Sequence, residues 1–186
     1  MSLRAVVASV AISMAALAPS PGGAAQSAPR LVDQTGRTFT LQSLRGRPVI
    51  VTFISAHCTD ACPLVNAQFA DAARQIAQHK LNTILLTITL DPANDPPTLM
   101  RTVAKRFQAD PRYWLVAGGR PSEVDQIIRA FGVVARLGKN GYREAHSTFV
   151  YVLDSNGNLR KTMLASTGLT GDIVDAAGTL QTRGGK

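Results

Sequence analysis

Two apolar runs, residues 49–54 and 83–90, constrain the fold of this chain more than any other feature of its sequence. Both runs are rich in Val, Ile, Leu and Thr and carry no charged residue. Such runs are typical of strands that are covered on both faces of a sheet. Between them, apolar residues recur at spacings of four, three and four from Val65 to Ile76, which predicts a helix that starts near Cys62. The order strand, helix, strand favours a sheet with helices packed on it.

The remaining apolar patterns predict further elements of both kinds. Helices are expected at residues 97–107, 122–131 and 171–181. Two short strands around a Gly turn are expected within 31–41, and further strands at 113–116, 133–137, 148–153 and 159–164. Asn94 and Asp95 are expected to cap the second helix, and Ser122 with Asp125 fits a capping box for the third. The last three strands are separated by turn sequences and predict an antiparallel meander. The predicted fold class is α/β, with a central mixed β-sheet and helices on both faces.

The first 25 residues have the features of a secretory signal. Arg4 precedes the uncharged run 5–18, and small residues follow at 23–25. This pattern predicts a signal peptide at residues 1–25, a linker at 26–30 and one domain at 31–186. The expected location is the periplasm if the source is a Gram-negative bacterium. An uncleaved anchor at the outer face of the inner membrane stays open, although the run is shorter than the roughly 20 residues that span a bilayer.

The formal net charge of +8 indicates a basic surface. A charge of this sign steers proteins toward nucleic acid, anionic lipid or acidic partners. Predicted export argues against nucleic acid, and the sequence has no long run of consecutive Lys or Arg. Peripheral contact with an anionic membrane surface stays open, as does a basic surface that serves only solubility.

The only two cysteines, Cys58 and Cys62, lie between the first long strand and its helix, in the sequence HCTDACP. In an oxidising compartment such a pair is a disulfide, a redox couple or a metal site. A structural staple is disfavoured, because so small a ring stabilises a fold by only about 2 kcal/mol. Cys62 is expected to have a lowered pKa, because a helix N-terminus favours the thiolate. Two thiolates on one loop form a redox pair or bind a soft metal ion.

The chain has three histidines that could join the thiols. His79 follows the predicted helix, where a cation suits the helix C-terminus. His57 ends a strand, so its side chain is expected to point away from the sulfurs, and an auxiliary role for it stays open. His146 opens the strand sequence HSTFVYVLD and is the leading candidate for a third ligand.

These motifs resemble those of two related groups of proteins. Exported thioredoxin-like reductases carry Pro-Thr-Thr-Phe in the equivalent place, with the proline against the active-site cysteines, and His146 stands at the position of that proline. A Cys-x-x-x-Cys-Pro loop with a distant histidine before a strand is similar to the Sco/SenC family of copper proteins. The sequences TLDPAND at 89–95 and AFGV at 130–133 add to this resemblance, which covers about residues 31–164.

The Sco/SenC resemblance implies a thioredoxin-like fold and a copper ion, Cu(I) or Cu(II), held by Cys58, Cys62 and His146. It implies a metallochaperone that helps to assemble the dinuclear copper centre of cytochrome c oxidase. The implied partner is the copper-site subunit of that oxidase or another copper carrier.

Three rival interpretations remain. The main one is a thioredoxin-like thiol-disulfide reductase, in which Cys58 and Cys62 are the catalytic redox pair and act on the oxidase's copper-site cysteines or on other exported proteins. A peroxidase is weaker, because the sequence lacks an Arg-supported Thr-x-x-Cys site. Zinc is disfavoured as the metal, because structural zinc normally takes four protein ligands.

One departure from the Sco/SenC pattern concerns the residues before His146. The family commonly has Val-Asp there, whereas this chain has Glu144 and Ala145, which leaves the role of an acidic group open. Asp91 and Asp95 are expected to form a strand-end turn and a helix cap, with a place in the site as the alternative. Asp60 is expected to be solvated.

Overall fold

A computed structural model describes residues 27–59, 61–144 and 148–184. The predicted signal peptide, Gln26, Asp60, the segment 145–147 and residues 185–186 lie outside the described residues. The strands are β1 (Leu31–Val32), β2 (Thr38–Phe39), β3 (Val49–Ile54), β4 (Ile84–Thr89), β5 (Trp114–Ala117), β6 (Arg136–Leu137), β7 (Arg143–Glu144), β8 (Phe149–Leu153) and β9 (Leu159–Leu164). The helices are α1 (Ala61–Gln78), α2 (Pro97–Arg106), α3 (Pro121–Ala130) and α4 (Leu169–Gly184).

Five strands form the central sheet, in the order β5-β4-β3-β8-β9. Strands β3, β4 and β5 are parallel, while β8 is antiparallel to β3 and β9 is antiparallel to β8. The parallel pairs are connected by α1 and α2, as crossover connections require. The predicted mixed sheet is therefore confirmed, with β3 at its centre.

Apolar side chains cover both faces of the sheet. On one face α1, α2 and α4 pack on the strands and bury Phe69, Met100 and Trp114 completely. On the other face α3 and the β1–β2 pair bury Leu31 and Val124. Full burial of one large apolar side chain contributes about 1.5–3 kcal/mol, so the two cores fix β3 firmly between the helical layers. The cysteine loop follows the carboxyl end of this fixed strand.

Two predicted helix caps are wrong. Helix α2 starts after Pro96 without a side-chain cap, and helix α3 starts after Arg120, also without one. Pro97 and Pro121 occupy the first turns instead, where a missing N–H costs nothing. The side chains of Asp95 and Asp125 are thereby free to bind elsewhere.

The predicted meander is only partly correct. Strands β8 and β9 form the expected antiparallel pair, but β6 pairs with β7 in a separate two-stranded sheet. The sequence patterns missed β7, which has only two residues and no apolar side chain. We call residues 136–144 the β6–β7 hairpin. Among the described residues, no helix is both long enough and apolar enough to span a bilayer.

Candidate metal centre

The two cysteines lie on the loop between β3 and α1 and at the start of that helix. The Cys58 N–H donates to the Ser55 carbonyl over 3.1 Å, which turns the chain directly after the strand. The Cys62 N–H donates to the Cys58 sulfur over 3.4 Å. Both thiols are free. The pair therefore meets at the carboxyl end of β3, the place that its position in the sequence predicts.

The two thiols differ in exposure and in acidity. Cys58 is half-buried, whereas Cys62 is only 8% exposed and belongs to the core beneath α1. Burial raises the pKa of Cys62 to about 12; a hydrogen bond with Cys58 contributes to the rise, and one with the Ser55 backbone opposes it. The predicted lowering of the Cys62 pKa is therefore wrong, because burial in the core disfavours the charged thiolate.

His57 is held between two side chains from distant parts of the sequence. Its Nδ1 lies 3.1 Å from Oδ1 of Asp95. Its imidazole ring stacks on the ring of Tyr142, with the centroids 3.8 Å apart and the planes 7° from parallel. The His57 side chain is 31% exposed, so one part of the ring still reaches solvent.

Asp95 is a fully buried carboxylate beneath the cysteine loop. Besides His57, it accepts the Ala56 N–H and the Thr89 hydroxyl through Oδ2, both over 2.9 Å. A buried carboxylate is costly unless hydrogen bonds satisfy it, and these donors supply them. Asp95 is therefore not the predicted helix cap, and its carboxylate binds Ala56 and His57 beside the cysteine loop instead. It fixes the two residues that precede Cys58.

Asp91 and Arg143 connect the β6–β7 hairpin to the end of β4. The Asp91 carbonyl accepts the N–H groups of Asn94 and Asp95, which forms the predicted strand-end turn. Its carboxylate also accepts the Arg143 N–H over 2.9 Å. The Arg143 guanidinium pairs with Asp125 on α3. Asp91 thus has a second role that the sequence did not suggest.

His146, the predicted third ligand, and Asp60 lie outside the described residues. Glu144 is exposed and accepts a hydrogen bond from Asn140 within the hairpin. His79 is exposed and directly follows α1, as expected. Within the described parts of the chain, no group of three or more His, Cys, Asp and Glu side chains is arranged to hold a metal ion. The described structure therefore accounts for the two thiols of the predicted site.

Tyr142 stacks on His57 beside the cysteine loop, and sequence reasoning did not single it out. The available signal was an aromatic residue in an otherwise polar turn, four positions before His146. Its contact with His57 joins residues that are far apart in sequence, so no local pattern could have revealed it.

The difference between the thiols predicts the order in which they react. We expect a limiting amount of iodoacetamide at pH 8 to modify Cys58 before Cys62, because Cys62 is buried and its raised pKa keeps it protonated. Peptide mapping by mass spectrometry of the reduced, metal-free protein measures the order. Preferential modification of Cys62 would contradict the burial of that thiol.

Comparison with known proteins identifies the family. The SCO1/SenC family model matches residues 19–177. A SCO2-like protein of Rickettsia typhi is 28% identical over 138 residues, which cover 70% of this chain and 66% of the relative. A SCO2-like protein of Rickettsia prowazekii is 29% identical over 136 residues, or 70% and 65% of the two chains. The chain thus spans just under two thirds of the length of these relatives.

Solved structures share the fold. Bradyrhizobium japonicum ScoI with copper bound gives a TM-score of 0.68 at 26% identity, covering 82% of this chain and 95% of the other. BsSco, described as a member of the Sco family of cytochrome c oxidase assembly proteins, gives 0.71 at 20% identity, covering 82% and 91%. The predicted thioredoxin-like fold is thereby confirmed. Because the family model spans most of the sequence, this chain belongs to the SCO1/SenC family.

Proposed function

We propose that this chain is an exported metallochaperone that carries one copper ion on Cys58, Cys62 and His146. Its role is to help assemble the dinuclear copper centre of cytochrome c oxidase. The observation that carries the proposal is the meeting of two free thiols at the N-terminus of α1 in a member of the SCO1/SenC family. Copper bound to ScoI of Bradyrhizobium japonicum supports copper as the cargo.

The donor set suits copper in its reduced form. Thiolate sulfur and imidazole nitrogen are soft or intermediate ligands, and soft ligands select Cu(I). Ligands must lose their protons before they bind, so loading copper displaces the proton that burial keeps on Cys62. Cys58 is half-buried and therefore open to an approaching donor or acceptor of copper. This asymmetry suits a carrier, which has to release its ion.

His146 is proposed as the third ligand on the basis of its place in the chain. Glu144, the last residue of β7, precedes it by two positions. The β6–β7 hairpin rests on His57 through Tyr142, and His57 directly precedes Cys58. Tyr142, four residues before His146, therefore contacts His57 at the start of the cysteine loop.

The proposed location is the periplasm or the outer face of the inner membrane. The uncharged run at residues 5–18 behind Arg4 supports export, and the charge of +8 suits contact with anionic lipid or an acidic partner. Cell fractionation and the N-terminal sequence of the mature protein test this proposal. A mature chain that begins near Gln26 is expected, and a cytoplasmic chain that keeps Met1 would contradict export.

Thiol-disulfide reduction is the second candidate function. Cys58 is half-buried and accepts a hydrogen bond from the Cys62 N–H, while Cys62 is buried behind it. An accessible attacking thiol with an adjacent resolving thiol is the arrangement that disulfide exchange requires. The two thiols would pass two electrons and two protons to a partner disulfide and become a disulfide themselves. This candidate needs both cysteines and does not need His146.

Deletion of the gene in its own host tests the proposed role. We expect membranes of the deletion strain to lose the optical signal of the dinuclear copper centre while the haem signals of the oxidase remain. Genes for the unaltered chain and for His79→Ala should restore the copper signal, whereas genes for Cys58→Ser and Cys62→Ser should not. An oxidase with its full copper signal in the deletion strain would contradict the proposal.

A further inference from the structure

Three contacts dock the β6–β7 hairpin onto the rest of the protein. The Tyr142 ring stacks on His57, the Arg143 N–H binds the Asp91 carboxylate, and the Arg143 guanidinium pairs with Asp125. Each of its two strands has only two residues, and neither pairs with the central sheet. Because so short a hairpin has little stability of its own, its position depends on these contacts.

The His57 ring is also held at its Nδ1 by a buried carboxylate. Asp95 is fully buried and lies 3.1 Å from the His57 Nδ1 through one carboxylate oxygen. The other oxygen accepts the Ala56 N–H and the hydroxyl of Thr89, the last residue of β4. Asp95 therefore orients the imidazole on which Tyr142 stacks.

This arrangement links the two segments of the chain that carry the proposed copper ligands. Ala56 and His57 directly precede Cys58, and Tyr142 and Arg143 precede His146 by four and three positions. One segment is held by Asp95, and the other is stacked on the first. Loss of an outer contact that orients a metal ligand typically weakens metal binding by about 10–100-fold.

We propose that His57 and Tyr142 are positioning residues that hold the β6–β7 hairpin against the cysteine loop before copper arrives. This inference rests on the proposed function, because it assigns a role in copper binding to residues that are not ligands. Holding the segments in place before binding lowers the entropy lost when one ion joins residues that are distant in sequence. Asp95 holds His57 at its Nδ1. Arg143 joins the hairpin to Asp91 and Asp125.

The test uses Tyr142→Ala and Tyr142→Phe in the reduced protein. Competition against a chromophoric Cu(I) chelator should show about tenfold weaker binding for Tyr142→Ala, the scale expected when a supporting contact is lost. Tyr142→Phe should bind within about twofold of the unaltered protein, because a phenyl ring stacks on imidazole as a phenol ring does. Tyr113→Ala is the matched control: Tyr113 is also partly buried but precedes β5, at the end of the sheet away from the cysteines.

Combination with His146→Ala separates positioning from general destabilisation. If Tyr142 acts by placing the segment that leads to His146, Tyr142→Ala should cause no further loss of affinity once His146 is replaced. An equal loss in both backgrounds would overturn the proposal, and so would unchanged affinity in Tyr142→Ala alone.

A copper-free measurement keeps this inference distinct from the proposed function. Amide hydrogen exchange at Arg143 and Gly138 should be faster in Tyr142→Ala than in the unaltered protein and unchanged in Tyr142→Phe and Tyr113→Ala. If exchange responds as expected but the unaltered protein retains no copper, the proposed function fails and the docking of the hairpin stands. If the unaltered protein binds copper and exchange does not respond, the positioning role alone is overturned.

Discussion

Replacing either Cys58 or Cys62 by serine is expected to remove tight copper binding. A serine hydroxyl stays protonated near neutral pH and is a hard ligand, so neither variant can offer the second soft donor that Cu(I) prefers. Loss of a supporting contact around a metal typically costs 10–100-fold in affinity, so loss of a ligand should cost more than about 100-fold. Competition against a chromophoric Cu(I) chelator under anaerobic conditions measures this loss.

The two serine variants should differ in stability although they agree in copper binding. Cys62 is buried in the core beneath α1, where a hydroxyl without a partner costs about 1–3 kcal/mol. Cys58 is half-buried, so Cys58→Ser should leave the urea midpoint nearly unchanged. Cys58→Ser is therefore the cleaner test. A Cys58→Ser protein that keeps the affinity of the unaltered chain would contradict the two-thiol site.

His146→Ala is expected to weaken copper binding by about 100-fold or more while the two thiols still form and break a disulfide. The imidazole supplies the third donor of the proposed site, and thiol exchange requires only the two sulfurs. Its effect on unfolding should stay within the 0.5–3 kcal/mol usual for point changes. Copper affinity, the rate of reaction with a disulfide substrate and the thermal midpoint are measured on the same protein.

His79→Ala is the matched control for that variant. It also removes one imidazole, but from an exposed position that directly follows α1 and is remote from the cysteine loop. Copper affinity in His79→Ala should equal that of the unaltered chain. Unchanged affinity with slower exchange in His146→Ala would favour the reductase function. A large fall in its thermal midpoint would show instead that His146 supports the fold.

The central sheet could be predicted because its strands are fully covered. Every residue of β3 and β4 is buried, so both appear in the sequence as uncharged, largely apolar runs, which are typical of a covered sheet. Strand β7 has the opposite character, with two polar residues and no apolar face, and no pattern marked it. Its position depends on the Arg143 contact with Asp91 and on the stacking of the preceding residue, Tyr142, on His57.

The cysteines of the site were predictable from a local motif, but their acidity was not. The motif places Cys62 at the N-terminus of α1, which correctly locates the thiol and favours a low pKa. How deeply Cys62 is buried in the core depends on how α1 packs on the sheet. That burial raises the pKa of Cys62 and reverses the prediction.

The contacts around the cysteine loop could not be predicted because they join distant residues. His57 and Asp95 are 38 positions apart, and Asp91 and Arg143 are 52 positions apart. Asp95 follows a strand and precedes a proline, so a helix cap was the simplest local interpretation. Only the parallel pairing of β3 with β4 brings the end of one strand beside the end of the other and directs the carboxylate to the loop.

Anaerobic titration of the reduced protein with Cu(I), in the presence of a competing chelator, tests the central claim most directly. One copper ion per chain should be retained against the chelator, with no second tight site. The same protein oxidised to the Cys58–Cys62 disulfide should retain none, because a disulfide offers no thiolate ligand. Retention at micromolar affinity or weaker in the reduced protein, or equal retention in the oxidised protein, would contradict a copper carrier built on these two thiols.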